Sequence, residues 1–216
     1  MRIYNVTLQF KVMDKSLPVY KLEISDDLNS EQEVNAIALV DIPAIGEGFF
    51  AFKDEPTQLA FAVVNEEERI VVGPAMIPNK LIYRNEKDSA GNIISEYNVT
   101  FDENTIQTIA QKFFAKNFQN NGNEMHDPEK TVDMVYFQSW IADESKGIPK
   151  MKQFENLPDG TWFLGAKINS DEAWQKVKDG TFRGFSVEGF FSMVQVKMST
   201  TPENILDQIK NLLKTV

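Results

Sequence analysis

One serine of this chain lies in a setting that suits nucleophilic chemistry. Ser186 belongs to the stretch TFRGFSVEGFF, with Gly184 before it and with Glu188 and Gly189 after it. Glycine lets a backbone bend sharply or approach another chain closely, and both properties favour attack on a peptide carbonyl. The same pattern is typical of a strand that bends in a β-barrel. The stretch alone therefore leaves a purely structural role for Ser186 open.

A serine nucleophile needs a general base, and the chain contains a single histidine, His126, in the stretch GNEMHDPEK. Imidazole changes its charge near neutral pH, which suits histidine to this task. A lone histidine is nevertheless more often a surface or core residue without a catalytic task. If Ser186 lies on a regular strand, Glu188 points to the same face and can support a site there.

Other chemistries find little support in the residue types. The chain has no cysteine, which excludes disulfides, thiolate nucleophiles and cysteine-based zinc sites. It has no glycine-rich phosphate loop or dinucleotide fingerprint, and its acidic runs lack the spacing of a calcium loop. Glu188 stands where a Gly-x-Ser-x-Gly elbow has its second glycine, which disfavours an α/β-hydrolase. We therefore predict that the protein uses no metal and no cofactor.

Charge and hydropathy restrict the partners. The formal net charge is -10 and the pI is about 4.7, and the basic residues form no stripe, so we expect no nucleic-acid partner. No segment approaches the roughly 18 consecutive apolar residues of a membrane span. The N-terminus also lacks the apolar run of a signal peptide. These features predict a soluble intracellular protein with no membrane partner.

Hydrophobic periodicity predicts a chain dominated by strands. We expect strands within residues 4–12, 20–24, 34–40, 59–64, 70–72, 93–101, 132–142, 157–168 and 190–198. Two helices are expected to begin after the capping residues Asp102 and Ser170, and a third over residues 202–214. This content predicts an α+β fold with a barrel or a strongly curved sheet.

Several segments together resemble the prohead serine protease family of tailed phages, in particular the branch found in phages and defective prophages of Gram-positive bacteria. The segments are GPAMIPNKLIYR, YNVTFDENTIQTIAQKFF, EMHD, QSWIADESKGI and LPDGTWFLGAKINSDEAWQKVKDGTFRGFSVEGFF. The resemblance covers residues 63–194, with a weaker echo in VNAIALVDIPAIGEGFF. A histidine 60 residues before a serine, with these motifs between them, makes the resemblance specific.

The resemblance implies a fold similar to that of the herpesvirus maturation proteases, a small, mostly antiparallel β-barrel wrapped by helices. Residues 61–200 would form the protease domain. Residues 1–60 would be a strand-rich segment that belongs to the barrel or packs on it. Residues 201–216 would form a C-terminal helix whose apolar stripe we expect to dock on the protein's own core.

The resemblance also implies that Ser186 is the nucleophile and His126 the general base, with backbone donors for the oxyanion. For the third residue we favour Glu188, because an acid near the pair would fix the histidine tautomer and stabilise the imidazolium. Asp127 and Asp133 are the alternatives.

Two further positions bear on the expected site. Gln138 occupies a place where relatives of this type carry an acid, so any support that this acid gives the histidine must come from another residue here. Arg183 precedes the serine and is a candidate for positioning the oxyanion loop.

Enzymes of this type are packed with the scaffold inside the immature phage head, in the host cytoplasm. The resemblance implies that scaffold and major capsid proteins are the substrates and partners, with the enzyme's own chain as a further candidate substrate. Cleavage between small or acidic residues would be typical. Whether the protein forms a homo-oligomer stays open.

Two other functions are compatible with the sequence. A catalytically inactive, protease-like structural or scaffold-associated capsid protein would share the fold, but would tolerate any distance between Ser186 and His126. A carbohydrate- or peptide-binding β-domain would use exposed aromatic residues such as Trp140 and Trp162, which we instead expect in the core.

Overall fold

The computed structural model describes residues 17–43, 62–65 and 68–196 of the 216-residue chain. The strand expected over residues 4–12 and the helix expected over residues 202–214 lie outside the described residues. Within them, the strands are β1 (Val19–Glu23), β2 (Val34–Val40), β3 (Ala62–Asn65), β4 (Ile70–Met76), β5 (Ile82–Lys87), β6 (Ile93–Thr100), β7 (Gly122–Glu124), β8 (Asp127–Val132), β9 (Met134–Ile141), β10 (Trp162–Ile168), β11 (Gly184–Gly189) and β12 (Ser192–Val196). The α-helices are α1 (Glu103–Ala115) and α2 (Asp171–Lys178).

The described strands form three four-stranded sheets, with the orders β12-β1-β6-β5, β3-β4-β10-β9 and β11-β2-β7-β8. Most neighbouring strands are antiparallel, whereas the β1–β6 and β2–β7 pairs are parallel. The predicted α+β class is confirmed. None of the three sheets closes into a barrel within the described residues, so the barrel and the likeness to herpesvirus proteases stay predictions.

The strands inside these sheets are apolar on both faces. In β10 the side chains of Trp162, Phe163, Leu164, Ala166 and Ile168 are fully buried. Such a continuous apolar run is expected of a strand covered on both sides. Strand β2 is also largely buried. It pairs in parallel with β7 and antiparallel with β11, and these two neighbours position the residues of the candidate site.

Both helices begin at the predicted caps. The Asp102 side chain accepts a hydrogen bond from the backbone N–H of Thr105, and the Ser170 hydroxyl accepts one from that of Ala173. These bonds satisfy donors that the first turn of a helix leaves without intrahelical partners. The apolar face of α1 packs on β9 and β10, where the ring of Phe113 lies against Tyr136 and Trp162. No helix in the described part of the chain is long and apolar enough to span a bilayer.

A buried lysine connects α1 to the segment that leads into β2. Lys112 is fully buried, and its ammonium group donates hydrogen bonds of 2.8–2.9 Å to the backbone carbonyls of Ser25, Asp27 and Gln32. Three acceptors match the three donors of an ammonium group. The connection between β1 and β2 is therefore held against the helix, which fixes where β2 enters its sheet.

Two strand predictions were wrong in their bounds. The strand expected over residues 132–142 is β9, which begins only at Met134, and the residues before Asp133 form a separate strand, β8, that was not predicted. The Asp133 carbonyl turns aside to accept hydrogen bonds from the backbone N–H groups of Asn169 and Ser170. Strand β4 also continues past Val72 through Pro74, which pairs with Phe163 next to a register shift. An irregular pairing of this kind tolerates a residue without a backbone N–H.

Candidate active site

Ser186 lies in the middle of β11, opposite Ala38 of the neighbouring strand β2. It is buried, with 4% of its surface exposed. The register of the two strands shifts only between Glu188 and Gly189, so the alternation from Ser186 to Glu188 is regular and both side chains point to one face. A Cβ atom on Gly189 would collide with the backbone carbonyl of Glu33, so this glycine permits the close approach of the preceding segment.

His126 lies in a two-residue turn that joins β7 to β8. Met125 and His126 have φ angles of 51° and 62°, and the flanking residues Glu124 and Asp127 are paired. Positive φ at both central residues is typical of a type I′ hairpin turn, which usually has Asn-Gly or a similar pair. For a residue other than glycine, this left-handed conformation costs about 1–2 kcal/mol relative to the right-handed one. The Met125 N–H anchors the turn by donating to the Leu39 carbonyl at 3.0 Å.

This turn brings together the three residues that we favoured from the sequence. The Nε2 atom of His126 is 2.9 Å from the Ser186 Oγ atom. On the other side of the ring, Nδ1 is 3.2 Å from Oε1 of Glu188. A carboxylate can only accept, so it favours the tautomer with the proton on Nδ1. Nε2 is then free to accept the serine proton, the geometry needed for base-assisted nucleophilic attack.

The three groups differ in their access to solvent. Ser186 is buried, whereas 41% of the His126 side chain and 24% of the Glu188 side chain are exposed. All three line a cleft of about 830 Å³, whose lining also includes the apolar residues Met76 and Ile77. A cleft of this size exceeds what one side chain fills and leaves room for several residues of an extended peptide.

Asn123 of β7 is a fourth member of the site that the sequence analysis missed. Its side-chain Nδ2 donates a hydrogen bond of 2.6 Å to Oε1 of Glu188, the same oxygen that faces His126. Burial, together with the negative charge of Glu188, raises the pKa of the Tyr136 hydroxyl well above its ordinary value. That hydroxyl donates to the Ile37 carbonyl and stays neutral beneath the site. The three-residue strand β7 has no apolar periodicity, so no sequence signal pointed to Asn123.

The two alternative acids lie elsewhere. The Asp127 carboxylate has other partners, because it accepts from the backbone N–H of Glu129 and pairs with Lys130 at 3.4 Å. The Asp133 carboxylate accepts a hydrogen bond from the side-chain amide of Asn169. Glu188 is therefore the acid that contacts His126.

Gln138 and Arg183 occupy defined positions outside these contacts. Gln138 lies on β9 opposite Gly165, and its side chain covers that glycine. The backbone N–H of Arg183 donates to the Val40 carbonyl, and its Nε donates to the Gly180 carbonyl. Arg183 thus closes the turn between α2 and β11, which leads directly to the serine.

Lys176 connects helix α2 to the strand that leads into the histidine turn. Lys176 forms hydrogen bonds of 2.8–2.9 Å to both carboxylate oxygens of Glu124, the last residue of β7. The same ammonium group pairs with Glu172 and lies 5.6 Å from the centre of the Phe182 ring. Lys176 therefore links the helix to the segment before β11 and to the strand before His126. The described residues contain no group of three or more side chains that could hold a metal ion.

The model of a protein family described as putative phage serine protease XkdF matches residues 58–195. The match spans more than half of the chain, and it includes Ser186, His126 and Glu188. The chain therefore belongs to this family of phage serine proteases. Comparison with curated proteins gave no match, and comparison with solved structures gave none either.

Proposed function

We propose that this member of the phage serine protease family is an active serine endopeptidase that cleaves scaffold and capsid proteins during head maturation. Its own chain is a further candidate substrate. The observation that carries the proposal is the contact of His126 with both partners, at 2.9 Å from the Ser186 hydroxyl and 3.2 Å from the Glu188 carboxylate. Both distances are within the range of the hydrogen bonds that activate a serine.

In the proposed reaction, the Ser186 Oγ atom attacks the carbonyl carbon of the scissile peptide while His126 Nε2 takes the hydroxyl proton. The tetrahedral intermediate then collapses, the C–N bond breaks, and the imidazolium gives its proton to the leaving amine. A water molecule, deprotonated by the same histidine, hydrolyses the acyl-enzyme and restores Ser186. Glu188 holds the Nδ1 proton throughout and offsets the positive charge of the imidazolium. Backbone N–H groups are the expected donors to the oxyanion.

The alternative function, an inactive structural component of the head, would need no particular geometry at these residues. The short contacts of His126 support the enzyme instead. They require a turn with two positive φ angles in residues that disfavour them. Strain of this kind is retained in proteins mainly where function depends on the resulting geometry.

The proposal includes the place of action, inside the immature head in the host cytoplasm, with scaffold and major capsid proteins as partners. The net charge of -10 is compatible with residence among scaffold proteins rather than on DNA. We also propose that the sheets assemble into the herpesvirus-protease-like barrel. The side-by-side arrangement of β4 and β11, from two different sheets, supports this part of the proposal.

The test is coexpression with the cognate scaffold and major capsid protein, followed by intact-mass analysis of all chains. The wild type is compared with Ser186→Ala and with Ser145→Ala, a control at an exposed serine in the short 3-10 helix Glu144–Lys146. We expect discrete cleavage products with the wild type and the control, and none with Ser186→Ala. Identical products from the Ser186→Ala protein, or no cleavage by the wild type in assembled heads, would refute the proposal.

A further inference from the structure

The side-chain amide of Asn123 is committed to the Glu188 carboxylate. Asn123 is 5% exposed, and its Nδ2–Oε1 distance of 2.6 Å to Glu188 is short for a hydrogen bond of this type. Hydrogen bonds to a charged acceptor are shorter and stronger than those between neutral groups. This contact therefore acts on the one acid that touches His126.

The rest of the Asn123 side chain gives no structural reason for an amide at this position. Among the described residues, no group donates a hydrogen bond to its buried Oδ1 atom. A buried acceptor without a protein partner is unfavourable for folding, and an apolar residue of similar shape would avoid this cost. The Oδ1 atom of the amide is thus unfavourable for stability, whereas the Nδ2 atom contacts the acid of the candidate site.

The strand register explains how the amide reaches Glu188. Ala38 of β2 is opposite Ser186 on one side and opposite Asn123 on the other. Directly opposed residues point to the same face of a sheet. Asn123 therefore lies on the face that carries Ser186 and Glu188, one strand beyond β2, and its amide reaches across Ala38 to the carboxylate.

We propose that Asn123 is a positioning residue of the active site, which holds Oε1 of Glu188 in line with Nδ1 of His126. This inference rests on the proposed function of Ser186 and His126. Two donors, the amide and the imidazole, converge on one oxygen of Glu188, so the amide restricts where that oxygen can lie. Asn123 acts through Glu188 and does not touch the reacting atoms.

The test measures the rate at which a fluorophosphonate probe labels Ser186 in the full-length protein, so it needs no knowledge of the substrate. The Oγ–P bond forms, the P–F bond breaks, fluoride leaves and His126 takes the serine proton. The variants are Asn123→Leu, which removes the donor at similar volume, and Asn123→Asp, which adds a carboxylate beside Glu188. Asn121→Leu is the control, because it removes an exposed amide that bonds the Asn35 carbonyl.

We expect Asn123→Leu to lower the labelling rate about tenfold, the effect of losing one hydrogen bond to a charged group, without a lower melting temperature. For Asn123→Asp we expect the acid limb of the rate–pH profile to move up by about one unit, because two adjacent carboxylates favour a shared proton. The other charged groups beside this turn form two pairs, Glu124 with Lys176 and Asp127 with Lys130. Asp41 and Arg84 line the same cleft, and no variant replaces any of these six residues. The control should label at the wild-type rate.

If both Asn123 variants label at the wild-type rate and with the wild-type pH profile, the positioning role is overturned and the proposed function stays intact. Absence of labelling at Ser186 in the wild type would instead refute the proposed function itself. A variant that merely loses folded protein would show a lower labelled fraction at an unchanged rate, and this outcome also counts against the proposal. If the leucine variant fails to fold, the nearly isosteric aspartate variant decides through its pH profile.

Discussion

Replacing Glu188 with glutamine removes the charge beside His126 and keeps the local geometry. In the wild type, the Asn123 amide and the His126 Nδ1 atom both contact Oε1 of Glu188. Both are donors, so the carbonyl oxygen of a glutamine would take the position of Oε1 and the NH₂ group would turn away. The tautomer of His126 is then preserved. Glu188→Gln consequently isolates the electrostatic part of the contribution from Glu188.

The expected loss follows from the distance and the exposure of the pair. Unit charges about 4 Å apart interact by about 1 kcal/mol in water and about 4 kcal/mol at an effective dielectric constant near 20. The Nδ1–Oε1 distance is 3.2 Å, but 41% of the imidazole side chain is exposed to solvent. We therefore expect stabilisation of the imidazolium by about 2 kcal/mol, which corresponds to about thirtyfold in rate.

The assay is the labelling rate of Ser186 by the fluorophosphonate probe. For each protein it is measured on the plateau of the rate–pH profile, where the rate no longer changes with pH. Glu188→Ala is the companion variant, because it removes the acceptor as well as the charge and frees the imidazole to rotate. We expect it to label more slowly than Glu188→Gln, since the orientation of the imidazole is then lost too. The ratio of the two rates measures the contribution of orientation.

Glu96→Gln provides the matched control. Glu96 lies on β6, where its carboxylate accepts a hydrogen bond of 2.7 Å from the Tyr83 hydroxyl. It loses the same charge without a contact to His126, so its labelling rate should equal that of the wild type. A Glu188→Gln protein that labels within twofold of the wild type would show that the carboxylate contributes no useful charge. Equal rates for Glu188→Gln and Glu188→Ala would refute the argument from orientation.

Two further predictions concern the elements that position the site. Met125→Gly should raise the free energy of unfolding in urea by roughly 0.5–1 kcal/mol, because relief of the positive φ angle outweighs the larger entropy that glycine loses on folding. The control Met193→Gly, on strand β12, should lower the free energy of unfolding. A Met125→Gly protein less stable than the wild type would show that the turn is not strained at this residue. Asp102→Ala should destabilise by about 1 kcal/mol through loss of the α1 cap. Burial alone would raise the Asp102 pKa, but hydrogen bonds from Lys21 and Thr105 lower it below its ordinary value. The stabilisation should therefore disappear as the pH falls through that lowered pKa, and a difference in stability that persists in acid would contradict the assignment.

Local signals were sufficient for α1, for α2 and for most of the described strands. The α1 cap and the apolar spacing of Ile106, Ile109 and Phe113 are short-range features, and all three side chains are buried as the spacing predicts. The positive φ of Gly91 in the β5–β6 connection also follows from local turn chemistry. Where a long-range contact decides the backbone, as at Asp133, the local pattern did not predict that a separate strand, β8, ends there.

The residues of the site were identifiable by type, but their contacts were not. His126 lies in a hairpin turn that has neither glycine nor asparagine at its centre, so the usual sequence signal for such a turn is missing. Strand β7 has only three residues and pairs in parallel with β2, which is far away in the sequence. Propensity carries no information about such a pairing, and the role of Asn123 depends on it.

Strand β2 lies between the two strands that carry the reactive groups, and its sequence has two small residues on the face of the site. Neighbouring strands are about 4.8 Å apart, so the backbones of β11 and β7 are separated by roughly twice that distance. Ala36 is opposite Glu188, and Ala38 is opposite both Ser186 and Asn123. The alternating Ile37 and Leu39 are fully buried in the core on the other face. The small alanine side chains leave the space above β2 in which the groups from both sides meet.

Replacing Ala38 with leucine tests whether this space is required. A leucine side chain would occupy the volume between Ser186 and Asn123, where Ala38 is fully buried, and should destabilise the fold by about 1–3 kcal/mol through overpacking. It should also separate His126 from Ser186, since a misplacement of about 1 Å can reduce a rate by about 100-fold. Leu39→Met changes the core face of the same strand and should lower stability slightly without affecting the labelling rate of the folded protein. Rapid labelling of a folded Ala38→Leu protein would mean that the site does not depend on a small residue in β2. The contact between His126 and Ser186 would then not depend on the space above Ala38 that the strand register indicates.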